Sequence, residues 1–164
     1  MASLRPDYQF AKVTEITPEF LQREAIEGLI IDLDNTLGPW QGETLPLESK
    51  SWLDRIRGAG CGVVLVSNAG QARGRRVAKN LDIHVVAPAG KPFGRGYAAA
   101  AKLLSLPKEK IAAVGDQIYT DVLGGNRFGV RTILVEPYGK REFPATKIMR
   151  LLEKPIRGRT KRRI

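Results

Sequence analysis

From Gly28 onward the chain repeats one pattern, a short apolar run followed by a stretch with helical spacing, and that alternation limits the available folds. The runs are Gly28-Leu29-Ile30-Ile31-Asp32, Cys61 to Ser67, His84 to Ala87, Ile111 to Gly115 and Arg131 to Val135. Their length and β-branched content mark them as strands. Their nearly continuous apolar character requires cover on both faces, as in a parallel sheet. The intervening segments predict helices over 48–58, 70–81, 94–105 and 119–128, with Leu53 and Ile56, then Val77 and Leu81, at helical spacing. Gly58 and Gly60 close the first of these. Thr17-Pro18-Glu19 supplies an N-cap, a proline at the first helical position and an acid in the first turn, so a further helix precedes the first strand. The expected fold is α/β, a three-layer α/β/α sandwich around a mainly parallel five-stranded sheet.

Composition narrows the setting. The one cysteine, Cys61, allows neither a disulfide framework nor a thiolate zinc cluster, which points to a reducing compartment. Residues 1–7 lack the apolar core of a secretory signal, and no run approaches the roughly 20 apolar residues of a membrane span. The expectation is a cytoplasmic protein, peripheral at most at the inner face of a membrane. The net charge is +10, and residues 140–164, with ten basic and two acidic side chains, carry +8 of it, leaving +2 for the other 139. The chain therefore divides into a single domain over 1–139, including an N-terminal helical extension, and a basic C-terminal helix or tail over 140–164. Ile148, Met149, Leu151 and Leu152, beside Lys147 and Arg150, would give that end a short amphipathic helix. Its charge suits an anionic surface, either lipid headgroups or nucleic acid phosphates.

In open parallel sheets ligands bind beyond the carboxyl ends of the strands. The first run ends in Asp32 and Asp34, the second in Ser67 and Asn68, the third leads to Lys91, and the fourth ends at Asp116 with Asp121 five residues on. Crowded carboxylates repel one another unless a cation neutralises them, and a set of hard oxygen ligands without histidine favours Mg2+ over zinc. Phosphoryl transfer uses the same cation to spread charge on the transferring group. Asp32 would attack phosphorus to form an aspartyl-phosphate. Asp34 would protonate the leaving alcohol and then activate water. Ser67, Asn68 and Lys91 would hold the phosphoryl oxygens, and Asp116 and Asp121, with Asp32 and Asp34, would hold the metal. His84 opens a strand and reads as a core or edge residue. Trp40, in the loop after Asp32, serves either substrate contact or packing.

The four motifs DLDNT (Asp32 to Thr36), SN (Ser67, Asn68), KP (Lys91, Pro92) and GDQIYTD (Gly115 to Asp121), in this order, resemble the haloacid dehalogenase (HAD) superfamily. The resemblance extends from about Gly28 to Val135 and implies a Rossmann-like HAD fold. An aspartate at position 34 is similar to the phosphatase pattern, which implies hydrolysis of a phosphomonoester. The spacings from Thr36 to Ser67 and from Ser67 to Lys91 have room for one helix each, so no cap domain is expected. The capless pattern is similar to subfamily IIIA. Within it, Leu4 to Tyr8, Ile16 to Leu21 and Gly28 to Leu37 with Trp40 look like the YqeG-type bacterial proteins, which resemble mitochondrial phosphatidylglycerophosphate phosphatases. That resemblance implies a lipid-borne substrate, phosphatidylglycerophosphate. Three alternatives stand beside it: a phosphatase of nucleic-acid ends, one of sugar phosphates, and a non-catalytic RNA- or ribosome-binding protein. Against the first, the chain lacks interleaved exposed aromatics for base stacking.

Overall fold

Six strands form one sheet in the computed structural model, which describes residues 3–139 and 151–153. They are β1 (Tyr8–Phe10), β2 (Gly28–Asp32), β3 (Gly62–Val66), β4 (His84–Val86), β5 (Ile111–Gly115) and β6 (Arg131–Val135), in the order β1-β6-β5-β2-β3-β4. Every neighbouring pair is parallel. The expected five strands are all present, and β1 is an unforeseen sixth. Its three residues are too few to show alternation. It is held instead by long-range partners. Asp7 donates its backbone N–H to the Thr132 carbonyl at 3.0 Å, and the Asp7 carboxylate accepts the Thr132 N–H at 2.8 Å.

The helices are α1 (Pro18–Arg23), α2 (Leu47–Gly58), α3 (Gln71–Leu81), α4 (Gly94–Leu104) and α5 (Leu123–Phe128), the last preceded without a break by a π-helical turn over Ile118–Val122. The Thr17 hydroxyl accepts the Phe20 N–H at 3.2 Å, so the expected cap forms. Alternation along each strand sorts the helices into two layers. Leu29, Ile31 and Leu65 pack with Phe20 and Leu21 of α1, Trp52, Leu53 and Ile56 of α2, and Val77 of α3. Ile30, Val64 and Val66 face the other way, onto Tyr97 and Ala100 of α4. Burying each of the large side chains contributes about 1.5–3 kcal/mol. Trp52 satisfies its indole N–H by donating to the Ile16 carbonyl at 2.7 Å. The second layer closes tightly over α5, where a Cβ at Gly124 would meet the Tyr97 ring at 2.6 Å.

The chain runs from β2 outward through β3 and β4, then returns to β5 on the other side of β2 before β6. The strand order therefore reverses between β2 and β5, and their carboxyl ends flank the crevice where such sheets bind ligands. Residues 33–46 form only a loop before α2, and α3 alone joins β3 to β4, so neither connection holds an inserted domain. Among the described residues no helix is long and apolar enough to cross a membrane.

Candidate active site

Three carboxylates meet at that reversal. Asp32 ends β2, Asp116 follows β5, and Asp121 lies in the π-helical turn. All three are buried, and each offers an oxygen within 4.8 Å of the others. The Lys91 ammonium stands among them, 2.5 Å from Asp32 Oδ1 and 2.6 Å from Asp121 Oδ1. Lys91 is only 8% exposed, and Asn68 fixes its backbone. The Asn68 Oδ1 accepts the Lys91 N–H at 2.8 Å, and the Asn68 Nδ2 donates to the Lys91 carbonyl at 3.1 Å. The Asn68 amide is thus turned toward Lys91.

Three carboxylates crowd together around the Lys91 ammonium in a buried place, where like charges repel one another strongly. Burial is the chief cause that pushes the Asp32 carboxyl well above the usual carboxylate range, and Asp121 and Asp116 add to it against the opposing pull of Lys91. Burial would push the Lys91 ammonium down, but Asp121 and Asp32 together hold it well above the usual lysine value. A divalent cation would relieve the repulsion among the carboxylates, and this set of hard oxygens, with no histidine or thiolate in it, fits Mg2+.

The backbone is shaped to this cluster. A Cβ at Gly115 would run into the Asp121 carboxyl group. Asp121 Oδ2 accepts the Gln117 N–H at 3.1 Å, and the Tyr97 hydroxyl lies 3.3 Å from the carbonyl oxygens of both Thr120 and Asp121. The Thr36 hydroxyl donates to Asp116 Oδ1 at 3.2 Å. Asp34 is half-buried, and its Oδ1 accepts the Gln41 N–H at 3.2 Å. Its carboxylate is not one of the three that crowd together. The Ser67 hydroxyl accepts the Ala69 N–H at 3.0 Å and is buried beside the strand end. His84 is exposed at the start of the edge strand β4, and Trp40 is half-buried.

Two contributors escaped the sequence reading. Tyr97 sits mid-helix on α4 among alanines and reads as core. Glu153 is fully buried although it belongs to the basic end, and its Oε1 accepts the N–H groups of Ile118 and Tyr119 at 2.7 and 3.2 Å. Being one of two acids amid ten bases was its only signal. Apart from 151–153, which are helical, the basic segment lies outside the described residues.

The HAD-hydrolase-like family model matches residues 88–142, the part of the chain that carries Lys91, Asp116 and Asp121. The probable phosphatase YqeG of Bacillus subtilis is 35% identical over 158 residues, 96% of this chain and 92% of that protein. The chain belongs to the HAD family of phosphatases. A second relative of this HAD phosphatase is the chloroplastic phosphatidylglycerophosphate phosphatase 1 of Chlamydomonas reinhardtii. It is 31% identical over 126 residues, 71% of this chain and 47% of that protein. Among solved structures, the 3-deoxy-D-manno-octulosonate 8-phosphate phosphatase of Moraxella catarrhalis superposes with a TM-score of 0.53 at 15% identity, covering 85% of this chain and 92% of that one. That likeness is one of fold.

Proposed function

We propose that this HAD phosphatase is a Mg2+-dependent phosphomonoester hydrolase that works through an aspartyl-phosphate on Asp32. The observation that carries the reading is the buried cluster of Asp32, Asp116 and Asp121 around the Lys91 ammonium. Asp32, Asp116 and Asp121 would hold the metal. When bound, the cation supplies charge neutralisation for the carboxylates and for the transferring phosphoryl group.

An Asp32 oxygen forms a bond to phosphorus as the bond from phosphorus to the ester oxygen breaks, and Asp34 gives its proton to the departing alcohol. Asp34, half-buried and within reach of solvent, then takes a proton from water as that water attacks phosphorus. The acyl-phosphate bond breaks, inorganic phosphate leaves, and Asp32 returns to a carboxylate. Lys91 spreads charge over nucleophile and phosphoryl oxygens, and Asn68 acts through Lys91 by fixing its backbone. Ser67 accepts a hydrogen bond from Ala69 N–H and has its own O–H to donate to a phosphoryl oxygen.

The substrate we infer is lipid-borne, phosphatidylglycerophosphate giving phosphatidylglycerol. Three things support it: the similarity to the algal phosphatase of that name, the connections around the site that hold one helix each, and the charge of residues 140–164. Leu151 and Leu152, 62% and 55% exposed, add apolar surface to that basic end, and each Lys or Arg near an anionic leaflet contributes roughly 1 kcal/mol. The test is release of phosphate from phosphatidylglycerophosphate in mixed micelles, from sugar phosphates and from 5′-phosphorylated oligonucleotides, with and without Mg2+. The lipid is expected to give the highest kcat/KM, with no release by Asp32→Asn. Preference for either soluble class would overturn the substrate, and turnover by Asp32→Asn would overturn the mechanism.

A further inference from the structure

We propose that Glu153 is a positioning residue for the metal site, so that the helical residues 151–153 are part of the scaffold of that site. This rests on the reading of Asp121 as a metal ligand. The first N–H groups of a helix have no partner within it. In the helix that starts at Ile118, the N-cap residue Gln117 makes no side-chain cap. The missing acceptor comes from 35 residues further along the chain. Glu153 Oε1 takes the Ile118 N–H at 2.7 Å and the Tyr119 N–H at 3.2 Å. A carboxylate at this end also meets the positive pole of the helix.

The position of this cap gives it its consequence. Asp121 is three residues beyond Ile118 in the same turn, and its Oδ1 reaches Lys91. The turn is a π-helical one, wider than an α-helical turn and often found at functional sites. It is gripped from within the core by the Tyr97 hydroxyl at the Thr120 and Asp121 carbonyls, and at its start by Glu153. With Glu153 removed, the first turn loses an acceptor that local sequence does not replace, and Asp121 loses the grip on the start of its turn, while the contacts of Tyr97, Lys91 and the Gln117 N–H remain. Loss of partners that orient ligands commonly lowers metal affinity about 10–100-fold.

The experiment is Mg2+ titration of the full chain by calorimetry, followed by the Mg2+ dependence of p-nitrophenyl phosphate hydrolysis. Glu153→Ala is expected to weaken Mg2+ binding about tenfold and to recover near wild-type kcat at saturating Mg2+. Glu153→Gln keeps a carbonyl oxygen at the same reach and is expected to retain most of the affinity. Unchanged affinity in Glu153→Ala, or a kcat loss that saturating Mg2+ does not recover, overturns the proposal. A wild-type chain that takes up no Mg2+ would instead overturn the metal reading beneath it. Amide hydrogen exchange tests the clamp with no variant at all. The Ile118 and Tyr119 amides are expected to exchange as slowly as those inside α5, and fast exchange at both overturns the proposal even if Glu153→Ala does not fold.

Discussion

Lys91→Met is the perturbation that asks most of the charge argument. Methionine keeps a long, flexible, apolar stem and removes the ammonium. The structure places that ammonium 2.5 Å from Asp32 and 2.6 Å from Asp121 in a site where all three residues are buried. Removing one partner of a buried pair costs about 3–5 kcal/mol, because the other charge is left uncompensated. In a domain of this size each kcal/mol moves Tm by about 2–4 °C, so the metal-free variant should melt roughly 6–20 °C below the wild type. Because the Lys91 ammonium titrates well above the usual lysine value, its stabilisation is complete at neutral pH and fades only as pH rises through that elevated value. The penalty should shrink at acid pH, where Asp32 takes up a proton. Mg2+ at about 100 times its Kd would return about 2.7 kcal/mol. The assay is thermal unfolding in chelator and in Mg2+, from pH 4 to 8. A variant that melts within about 2 °C of wild type in chelator at neutral pH would refute the reasoning.

Asp32→Asn should abolish phosphate release and also stabilise the metal-free protein. The raised carboxyl of folded Asp32 contributes stability below the unfolded carboxylate pKa and loses it as pH rises through the folded value. Wild-type Tm in chelator should therefore fall toward neutral pH relative to the variant, whose advantage of about 1 kcal/mol corresponds to about 2–4 °C; parallel curves would count against it. Asn68→Ala removes both hydrogen bonds to the Lys91 backbone. It should cost about 1 kcal/mol of stability and lower kcat about tenfold or more through a displaced ammonium, and an unchanged kcat would contradict that role. Cosedimentation with anionic vesicles should decline as salt screens the basic end, and a chain truncated after Gly139 should no longer bind; undiminished binding by the truncated chain would remove the tail from the substrate argument.

The parts of the site that could be read from sequence are those that a parallel sheet brings together by construction. Asp32, Ser67 and Asp116 stand at the carboxyl ends of three strands that are neighbours in the sheet, and the apolar runs already marked those ends. Asp121 was legible as a candidate, but its approach to Asp32 depends on the π-helical turn and on Gly115, whose missing side chain gives the Asp121 carboxyl its space. Linear spacing encodes neither. Asn68 was recognisable as a polar strand end, while the direction of its amide, toward Lys91 instead of outward, is set by a loop 23 residues away. Strand β1 and Glu153 share one reason for being missed. Each is held by partners distant in the chain, Thr132 for the first and Ile118 with Tyr119 for the second, so no local pattern announces them.

The crowding of buried carboxylates also says why such a site would need its cation before chemistry begins. A phosphomonoester near neutral pH is itself largely a dianion. The buried cluster of three carboxylates around Lys91 would meet that dianion with like charge. Repulsion between like charges is strong where water is excluded. A divalent cation held by Asp32, Asp116 and Asp121 would offset that charge, so the substrate would meet less repulsion on its way to Lys91. The same carboxylates that make the metal-free fold less stable are what give the cation its hold, so stability in chelator and affinity for Mg2+ should move in opposite directions when their charge is changed.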